Sequence, residues 1–414
     1  MIDPCSLEAK PLLSLDDALT GIRTAIKAVA GEERVALKKA LGRVLSEAVY
    51  SPINLPTSRN SAMDGYALSS IDINPKQPFV LRASGISWAG KPFQGELQAG
   101  QCIRIFTGAL LSAPTDTVVI QEQVKVDGDH IVFPATVVAG ENVREAGEDI
   151  AKCGLLIKQH KKLTAADLGL LASAGIVDVL VKPKINIAFF STGDELIGGG
   201  QPLEPGKIYD SNRYMLAGLL ADPCYNAVDM GVIADDRQLL EDTIKQAAKH
   251  NDVIITTGGA SVGDADYIKD ILAQCGEVKF WKIAIKPGKP LAFGNIGPCY
   301  FFGLPGNPVS AMVTFQQIVA PALIQLSGAA ANKPLRLMAT CTTALKKSRG
   351  RQDFQRGILT QDTDGNFFVE STGHQGSHIL SSMSRSNCYI ILPAEANGVS
   401  AGDKVWVEPF SVFI

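Results

Sequence analysis

Histidine and tryptophan are scarce, with 5 and 3 residues in a chain of 414. A histidine-built metal cluster or a Ser-His-Asp or Cys-His relay has little to draw on, and no GxSxG elbow accompanies the histidines. His374 and His378 stand close in sequence, but the run Gly373-His374-Gln375-Gly376-Ser377-His378 is too rich in glycine for a helix and brings no third ligand. The 8 cysteines are dispersed, no two lying closer than Cys275 and Cys299, so a CxxC redox pair and a zinc knuckle are both excluded. Dispersed thiols fit a reducing cytosol. Positive charge is not in excess. With 39 Lys and Arg against 42 Asp and Glu the net charge is -3, and no global field exists to hold nucleic acid or an anionic membrane surface. Met1-Ile2-Asp3-Pro4-Cys5 has no basic n-region, and no apolar run approaches the roughly 18 residues of a membrane span. The expectation is a cytoplasmic protein with neither nucleic acid nor membrane as partner.

What is present is ordinary globular composition: 46% hydrophobic, 20% charged and 7% aromatic. Disorder, collagen and coiled coil are poor descriptions of such a chain. At roughly 150 residues per domain, two to four domains are expected. Ser14 precedes an apolar stripe at Leu15, Ala18, Leu19, Ile22, Ile26 and Val29, with Asp17 three residues after the cap, which predicts a helix. A second helix is expected over Val35 to Ser46. Prolines in Val49 to Pro56 mark a hinge. Short strands between glycines then follow at Phe79 to Ala83, Cys102 to Phe106, Thr117 to Val126 and Ile131 to Val138. Thr164 caps a further helix over Ala165 to Ala174. The flanking helices are therefore expected to form one helical/mixed domain, 1–51 plus 151–184, carrying an inserted β-rich module, 52–150.

From Ile185 strands and helices alternate. Ile185 to Phe190, Val253 to Thr256 and Cys299 to Leu304 have the continuous apolar character of buried parallel strands. Helices are expected near Asn212 to Leu220, Asp236 to His250, Tyr267 to Gln274 and Pro308 to Leu326. This predicts a doubly wound α/β domain over 185–328. The remainder, 329–414, shows strand-length runs and turns such as Asp364-Gly365 and is assigned as a small C-terminal β domain.

Ligands of an open parallel sheet bind beyond the carboxyl ends of its strands. Those loops are Ser191-Thr192-Gly193-Asp194-Glu195-Leu196, the stretch Thr257 to Asp266, and Pro305-Gly306-Asn307-Pro308-Val309-Ser310. The first two combine backbone donors with carboxylates able to hold hydrated Mg²⁺. In the third, Asn307 is a natural N-cap and Pro308 a good first helical residue, so free donors would seat a phosphate. Lys282, Lys286 and Lys289 lie in a segment stiffened by Pro287 and Pro290, which holds charge toward an oxyanion at reduced entropic cost. Carboxylates, lysines and a helix end together point to phosphoryl or oxyanion chemistry. Simpler readings exist for each part. Asp194 and Glu195 can cap a turn, the lysines can be a solvated cluster, and Gly258 to Gly263 matches no Walker or Rossmann fingerprint.

Eight segments in order carry a specific resemblance: Asn60-Ser61-Ala62-Met63-Asp64-Gly65-Tyr66-Ala67, Thr107-Gly108-Ala109, Arg144 to Ile150, Ser191 to Leu196, Tyr209-Asp210-Ser211-Asn212, Gly258 to Tyr267, Lys286-Pro287-Gly288-Lys289-Pro290 and Leu304 to Ala311. Over nearly its whole length the chain resembles the MoeA-type molybdopterin molybdenumtransferases, relatives of the gephyrin E domain. The resemblance implies an elongated homodimer with an inserted β module and a C-terminal β-barrel-like domain. It implies Mg²⁺-dependent insertion of molybdate into adenylylated molybdopterin with release of AMP, and partners that include the adenylylating enzyme and acceptor molybdoenzymes. By resemblance Asp64, Glu195, Asp235 and Asp266 are the functional acids, with Glu195 and Asp266 serving Mg²⁺. Thr107, Arg144 and Asp149 match cleft positions; Lys282, Lys286 and Lys289 match a basic loop; Pro305, Asn307, Pro308 and Ser310 match a substrate-binding turn. Arg351 and Ser382 are candidate molybdate contacts. Phe106 stands where the family usually has Met, and Ala221 to Tyr225 lacks an expected glycine turn. Molybdopterin adenylylation and a non-catalytic gephyrin-like scaffold are the competing functions.

Overall fold

The computed structural model describes residues 12–258, 267–330 and 333–410. Its centre is a six-stranded sheet ordered Tyr225–Ile233, Ile185–Thr192, Val253–Thr257, Cys299–Leu304, Pro290–Ile296, Glu277–Lys282. The first four strands run parallel and Pro290–Ile296 runs antiparallel to its neighbours. Val253–Thr257 is buried at every position, as a parallel strand covered on both faces must be. One face is covered by Arg237–His250, capped by Asp236, which packs Leu240 and Ile244 against Ala188, Phe190 and Ile254. The other face carries the first helix and the helical run from Pro308 to Leu326.

That run corrects an expectation. Within its 19 residues an 18-residue stretch has mean hydropathy 1.4, long and apolar enough to cross a membrane by those measures, yet 67% of that stretch is buried inside the protein. It is a core helix. A π-helical segment at Phe315–Val319 interrupts it and accompanies two consecutive glutamines bonded to the C-terminal domain. Gln317 Nε2 donates to Glu408 Oε1 at 2.7 Å, and Gln316 Oε1 accepts from the Tyr389 hydroxyl.

The C-terminal strands close on themselves as a barrel: Gln352–Gln361, Phe367–Ser371, Leu337–Cys341, Lys404–Pro409 and Cys388–Leu392, the last pairing back to the first. A short helix, Leu380–Arg385, joins them where only strands were expected. Phe354, Met383, Tyr389 and Ile391 of the barrel share one apolar cluster with Ile187 and Phe189 of the sheet and Ile318 and Leu323 of the long helix. Barrel and sheet are thereby fixed to each other.

Two expectations fail in the N-terminal third. No helix forms over Val35 to Ser46; Glu33–Ala36 is a strand paired antiparallel with Asp178–Val181, followed by a 3₁₀ turn at Leu37–Lys39. Gly42, at φ +70°, takes a left-handed conformation that breaks the helical pattern. The first helix, Leu15–Ala25, places Leu15, Ala18 and Ile22 in the α/β core, whereas Ala165–Ser173 packs Leu171 against Ala40, Leu45 and Leu163. The two helices do not share a core.

The β module is a six-stranded sheet ordered Thr117–Ile120, Gly65–Leu68, Gln101–Ile105, Phe79–Ser87, His130–Phe133, Lys125–Asp127. The expected long strand Thr117 to Val126 is split by a 3₁₀ turn at Gln121–Gln123, which carries the chain to the opposite sheet edge. Gly65 lies in the middle of this packing: a Cβ there would stand 2.0 Å from the carbonyl oxygen of Val119. Gly65→Ala should therefore force apart the pairing of Gly65–Leu68 with Thr117–Ile120 and cost about 1–3 kcal/mol, the range of overpacking changes. A fall in Tm with loss of the Asp64 site is the expected result, and an unchanged Tm would contradict this packing.

Candidate functional site

The α/β sheet delivers three loops to one edge, and side chains lock them together. Ser191 Oγ donates to Asp210 Oδ1 at 3.2 Å and lies 2.9 Å from Thr257 Oγ1. Arg213 Nε donates to Asp210 Oδ2 at 3.1 Å. Asn212 Nδ2 donates to the Gly306 carbonyl at 2.7 Å, binding the Tyr209 to Asn212 motif to the Pro305 to Ser310 turn.

On this edge Gly193 has φ +141°, and a Cβ at that position would stand 2.4 Å from Glu195 Oε2. The Glu195 carboxylate thus folds back over its own turn, and among the described residues it makes no side-chain hydrogen bond or ion pair. Asp194 does not cap its own turn as the simpler reading expects; its Oδ1 accepts from the Asp235 N–H of a distant loop at 3.1 Å. Although Asp235 is exposed, partial desolvation and the nearby Asp194 and Glu195 charges raise its carboxyl pKa, against a backbone hydrogen bond from Asp194 that lowers it. Three carboxylates therefore converge from two loops at an electrostatic cost. Asp266 lies outside the described residues, with the rest of Gly259 to Ala265.

The basic segment meets the barrel. Ile285–Lys286 pairs in parallel with Gln352 and Asp353, which brings Lys286 Nζ to 3.6 Å from Asp353 Oδ2. Asp353 is 2% exposed and also accepts from Gln355 Nε2 at 3.1 Å. Gly288, at φ +108°, packs so tightly on Thr314 that a Cβ would stand 2.5 Å from its Oγ1. Lys282 and Lys289 are exposed and pin the loop through backbone bonds, Leu13 N–H donating to Lys282 O and Ile283 N–H to Lys289 O. Lys347 is buried, donating to the carbonyls of Ser348, Ala394 and Ala396, and burial lowers its pKa. Arg351 is half-buried.

Two expected roles change. Pro308 does begin a helix, but Asn307 makes no side-chain cap, and the Val309 N–H donates to the Ser377 carbonyl of a barrel loop at 3.2 Å. The helix end is thus partly occupied by the protein itself, with Pro305 and Ser310 buried and Asn307 exposed. Ser382 is wholly buried. Its hydroxyl donates to the Ile379 carbonyl and accepts from Arg356 Nε at 3.0 Å, so it presents no donor to solvent and supports Arg356 instead. Arg356, absent from the sequence candidates, is likewise buried and holds the same loop, its guanidinium donating to Gly376 O and its backbone N–H to the Gln375 side chain.

In the β module the Thr107 N–H and hydroxyl both donate to Asp64 Oδ1, at 2.7 and 2.8 Å. These two bonds, with a smaller contribution from Arg104, hold the Asp64 carboxyl below its ordinary value. Arg144 is exposed on a two-residue ladder with Asn60 and Ser61, and Asp149 is exposed with its N–H donating to Leu55 O. Among the described residues no hydrogen bond or ion pair joins Asp64, Thr107, Arg144 or Asp149 to Glu195, Asp235 or the lysines. The structure therefore assembles an acidic edge and a basic loop beside the barrel, and a separate Asp64–Thr107 pair.

An inserted β module, a doubly wound sheet with carboxylates at its carboxyl edge and a fused C-terminal barrel define a multidomain α/β and β protein. The chain matches the MoeA N-terminal region (domain I and II) over residues 13–175, the probable molybdopterin binding domain over 188–325 and the MoeA C-terminal region (domain IV) over 338–410. It is 42% identical over 402 residues to a molybdopterin molybdenumtransferase of Haemophilus influenzae, covering 97% of this chain and 99% of that one. It is 35% identical to one of Nostoc, covering 91% and 88%. A crystal structure of a molybdopterin biosynthesis moeA protein from Pyrococcus horikoshii superposes with a TM-score of 0.84 at 28% identity, covering 96% of this chain and all of that one. The chain belongs to the MoeA family of molybdopterin molybdenumtransferases.

The Asp64 environment gives a direct test. Thr107→Val removes one of two donors, so the Asp64 pKa should rise toward the ordinary carboxylate value in an NMR titration, while Thr107→Ser leaves it low. Because the folded-state pKa is depressed, the stability this pair contributes is present above the unfolded-state pKa and is lost as pH falls through the folded one. Thr107→Val should move that acid loss to higher pH. An unshifted Asp64 titration would remove the hydroxyl from this role.

Proposed function

We propose that the chain inserts molybdate into adenylylated molybdopterin in an Mg²⁺-dependent reaction that cleaves the phosphoanhydride and releases AMP. Its family membership makes it an enzyme of molybdenum cofactor biosynthesis acting on molybdopterin and molybdate; the adenylyl group, the Mg²⁺ and the residue roles are our reading. The observation that supports it is the gathering of Asp194, Glu195 and Asp235 at the sheet edge, where the Asp235 N–H donates to Asp194 and where the Asp194 and Glu195 charges add to desolvation in raising the Asp235 pKa, a repulsion that a divalent cation would relieve. Among the described residues no group of three or more His, Cys, Asp or Glu side chains is placed to hold a metal ion, so the site would need Asp266, which lies outside them. Glu195 and Asp235, with Asp266, are the residues that would hold Mg²⁺. Bound there, it would neutralise charge on the anhydride oxygens.

In this reading Lys282, Lys286, Lys289 and Arg351 supply the local positive charge for molybdate and the phosphates that a net acidic protein lacks globally. The Pro305 to Ser310 turn borders the same edge. Adenylylation by this chain is disfavoured because the match extends far beyond the α/β domain. A pure scaffold would have no need of the mutually repelling carboxylates. We place the enzyme in the cytosol as a homodimer, receiving substrate from the adenylylating enzyme and passing product to acceptor molybdoenzymes.

Purified protein should release AMP from adenylylated molybdopterin only when molybdate is present; release that ignores molybdate would overturn the proposal. Glu195→Gln and Asp235→Asn should each lower that rate at least about 10²-fold, the scale of one positioned electrostatic group. Without metal, Asp235→Asn should be at least as thermally stable as the wild type, since it removes a repelled charge, and its Mg²⁺-induced rise in Tm should vanish. A wild-type-like Mg²⁺ response would sink the Asp235 assignment.

That no hydrogen bond or ion pair joins Asp64 to Glu195 among the described residues agrees with a site shared across the dimer. In a twofold dimer, an Asp64→Asn chain paired with a Glu195→Gln chain leaves one site with both defects and one with neither, so the purified mixed dimer should recover about half of wild-type activity. A mixed dimer as inactive as its parents would place the site within one chain.

A further inference from the structure

We propose that Trp88 and Phe106 form a stacking platform beside Asp64 for a flat, fused heteroaromatic ring of the substrate, making Trp88 a positioning residue for ring binding. The inference rests on the reading of an adenylylated pterin substrate and deepens it.

The indole of Trp88 lies face to face on Phe106, ring centroids 4.0 Å apart and planes inclined by 6°. Its backbone is fixed by reciprocal bonds with Lys91, Trp88 N–H to Lys91 O and Lys91 N–H to Trp88 O, both 3.0 Å. The Phe106 N–H donates to Ser87 O at 3.3 Å. Arg104 stands 5.0 Å from the Phe106 ring and 5.0 Å from the Tyr66 ring, anchored by its donation to Gly65 O. The aromatic plane is thus held rigidly before any ligand arrives, which lowers the entropic cost of binding.

Its position is what gives it a use. Phe106 immediately precedes Thr107, whose two donors hold Asp64, and Arg104 itself acts on the Asp64 charge. Trp88 is nevertheless 49% exposed, although the module's own core is formed elsewhere by Tyr66, Phe79, Phe133 and their neighbours. An indole already stacked on one side and open to solvent offers a π-face to a second flat ring. Arg104 sits over the Phe106 ring and Lys91, bonded through its backbone to Trp88, is exposed, so the aromatic pair is accompanied by positive charge that suits a ring carrying an anionic phosphate tail. A plain structural role would need only an apolar cover for Phe106, with no demand for flatness.

Adenine and pterin share this chemistry, so AMP and free pterin are titrated separately into the full-length protein, and KM and kcat for AMP release are measured with adenylylated molybdopterin. Trp88→Ala and Trp88→Leu should each raise KM about 10-fold, the scale of one lost base stack, with kcat changed by less than about 2-fold. Trp88→Phe should stay near wild type. The weakened fragment, AMP or pterin, identifies the ring. Leucine covers Phe106 but is not flat, so recovery by Trp88→Leu would overturn the platform and leave a packing role. Unchanged KM in Trp88→Ala, in an enzyme whose AMP release still requires molybdate, would also overturn it. Molybdate-independent AMP release by the wild type would defeat the insertase reading instead, and the two fragment titrations would then decide the platform alone.

Discussion

The buried central strand Val253–Thr257 sets the terms for the rest of the molecule. A parallel strand cannot leave either face to water, so helices must cover both, and the covering run Pro308 to Leu326 is itself so apolar that it needs a cover in turn. The C-terminal barrel provides it, contributing Phe354, Met383, Tyr389 and Ile391 to the same cluster. This chain of burial has a chemical result. It fixes the barrel against the carboxyl edge of the sheet, where Lys286 meets Asp353 and the Ser377 carbonyl meets the Val309 N–H. Packing thus fixes the basic loop against the barrel.

Charge in this chain is organised in small, separately balanced groups. Arg356 is a buried guanidinium without a carboxylate partner among the described residues; burial lowers its pKa, and two neutral acceptors, the Ser382 hydroxyl and the Gly376 carbonyl, replace its lost hydration. Such a group is expensive to unpair, so it specifies one conformation of that loop. Lys347 follows the same principle with three carbonyls. Neither residue is conspicuous in the sequence, because an isolated Arg or Lys near a strand carries no sign that it will be buried.

Legibility followed the reach of each physical signal. Ile185 to Phe190 and Cys299 to Leu304 were visible because continuous apolar runs mark strands buried on both faces, and the helix after Asp236 because its cap and stripe are local. Val35 to Ser46 misled because a short stretch of mixed apolar and basic residues does not distinguish helix from strand until the partner of its first residues, Asp178–Val181, is known. Pro290–Ile296 and Glu277–Lys282 went unrecognised for a related reason. Their strand character comes from antiparallel pairing at the sheet edge more than from periodicity. At the site, the motif loops were identifiable individually, but the crowding at Asp235 was not, since it depends on residues some 40 positions apart meeting at one edge. Ser382 illustrates the opposite error: a family match names the position, and only the fold shows that its hydroxyl is already used.

The two acidic centres differ in a way that bears on how a shared site would work. Asp64 is compensated within its own module, by Thr107 and by Arg104, so its charge and orientation are set before anything else approaches. Asp235 is only partly compensated: desolvation and the neighbouring Asp194 and Glu195 charges disfavour its ionised form, and a backbone hydrogen bond from Asp194 offsets only part of this. The first is a rigid acceptor that a module on a proline-rich connection can deliver intact. The second stores electrostatic cost that a cation and an anionic substrate can release together, which favours their joint binding over binding of either alone.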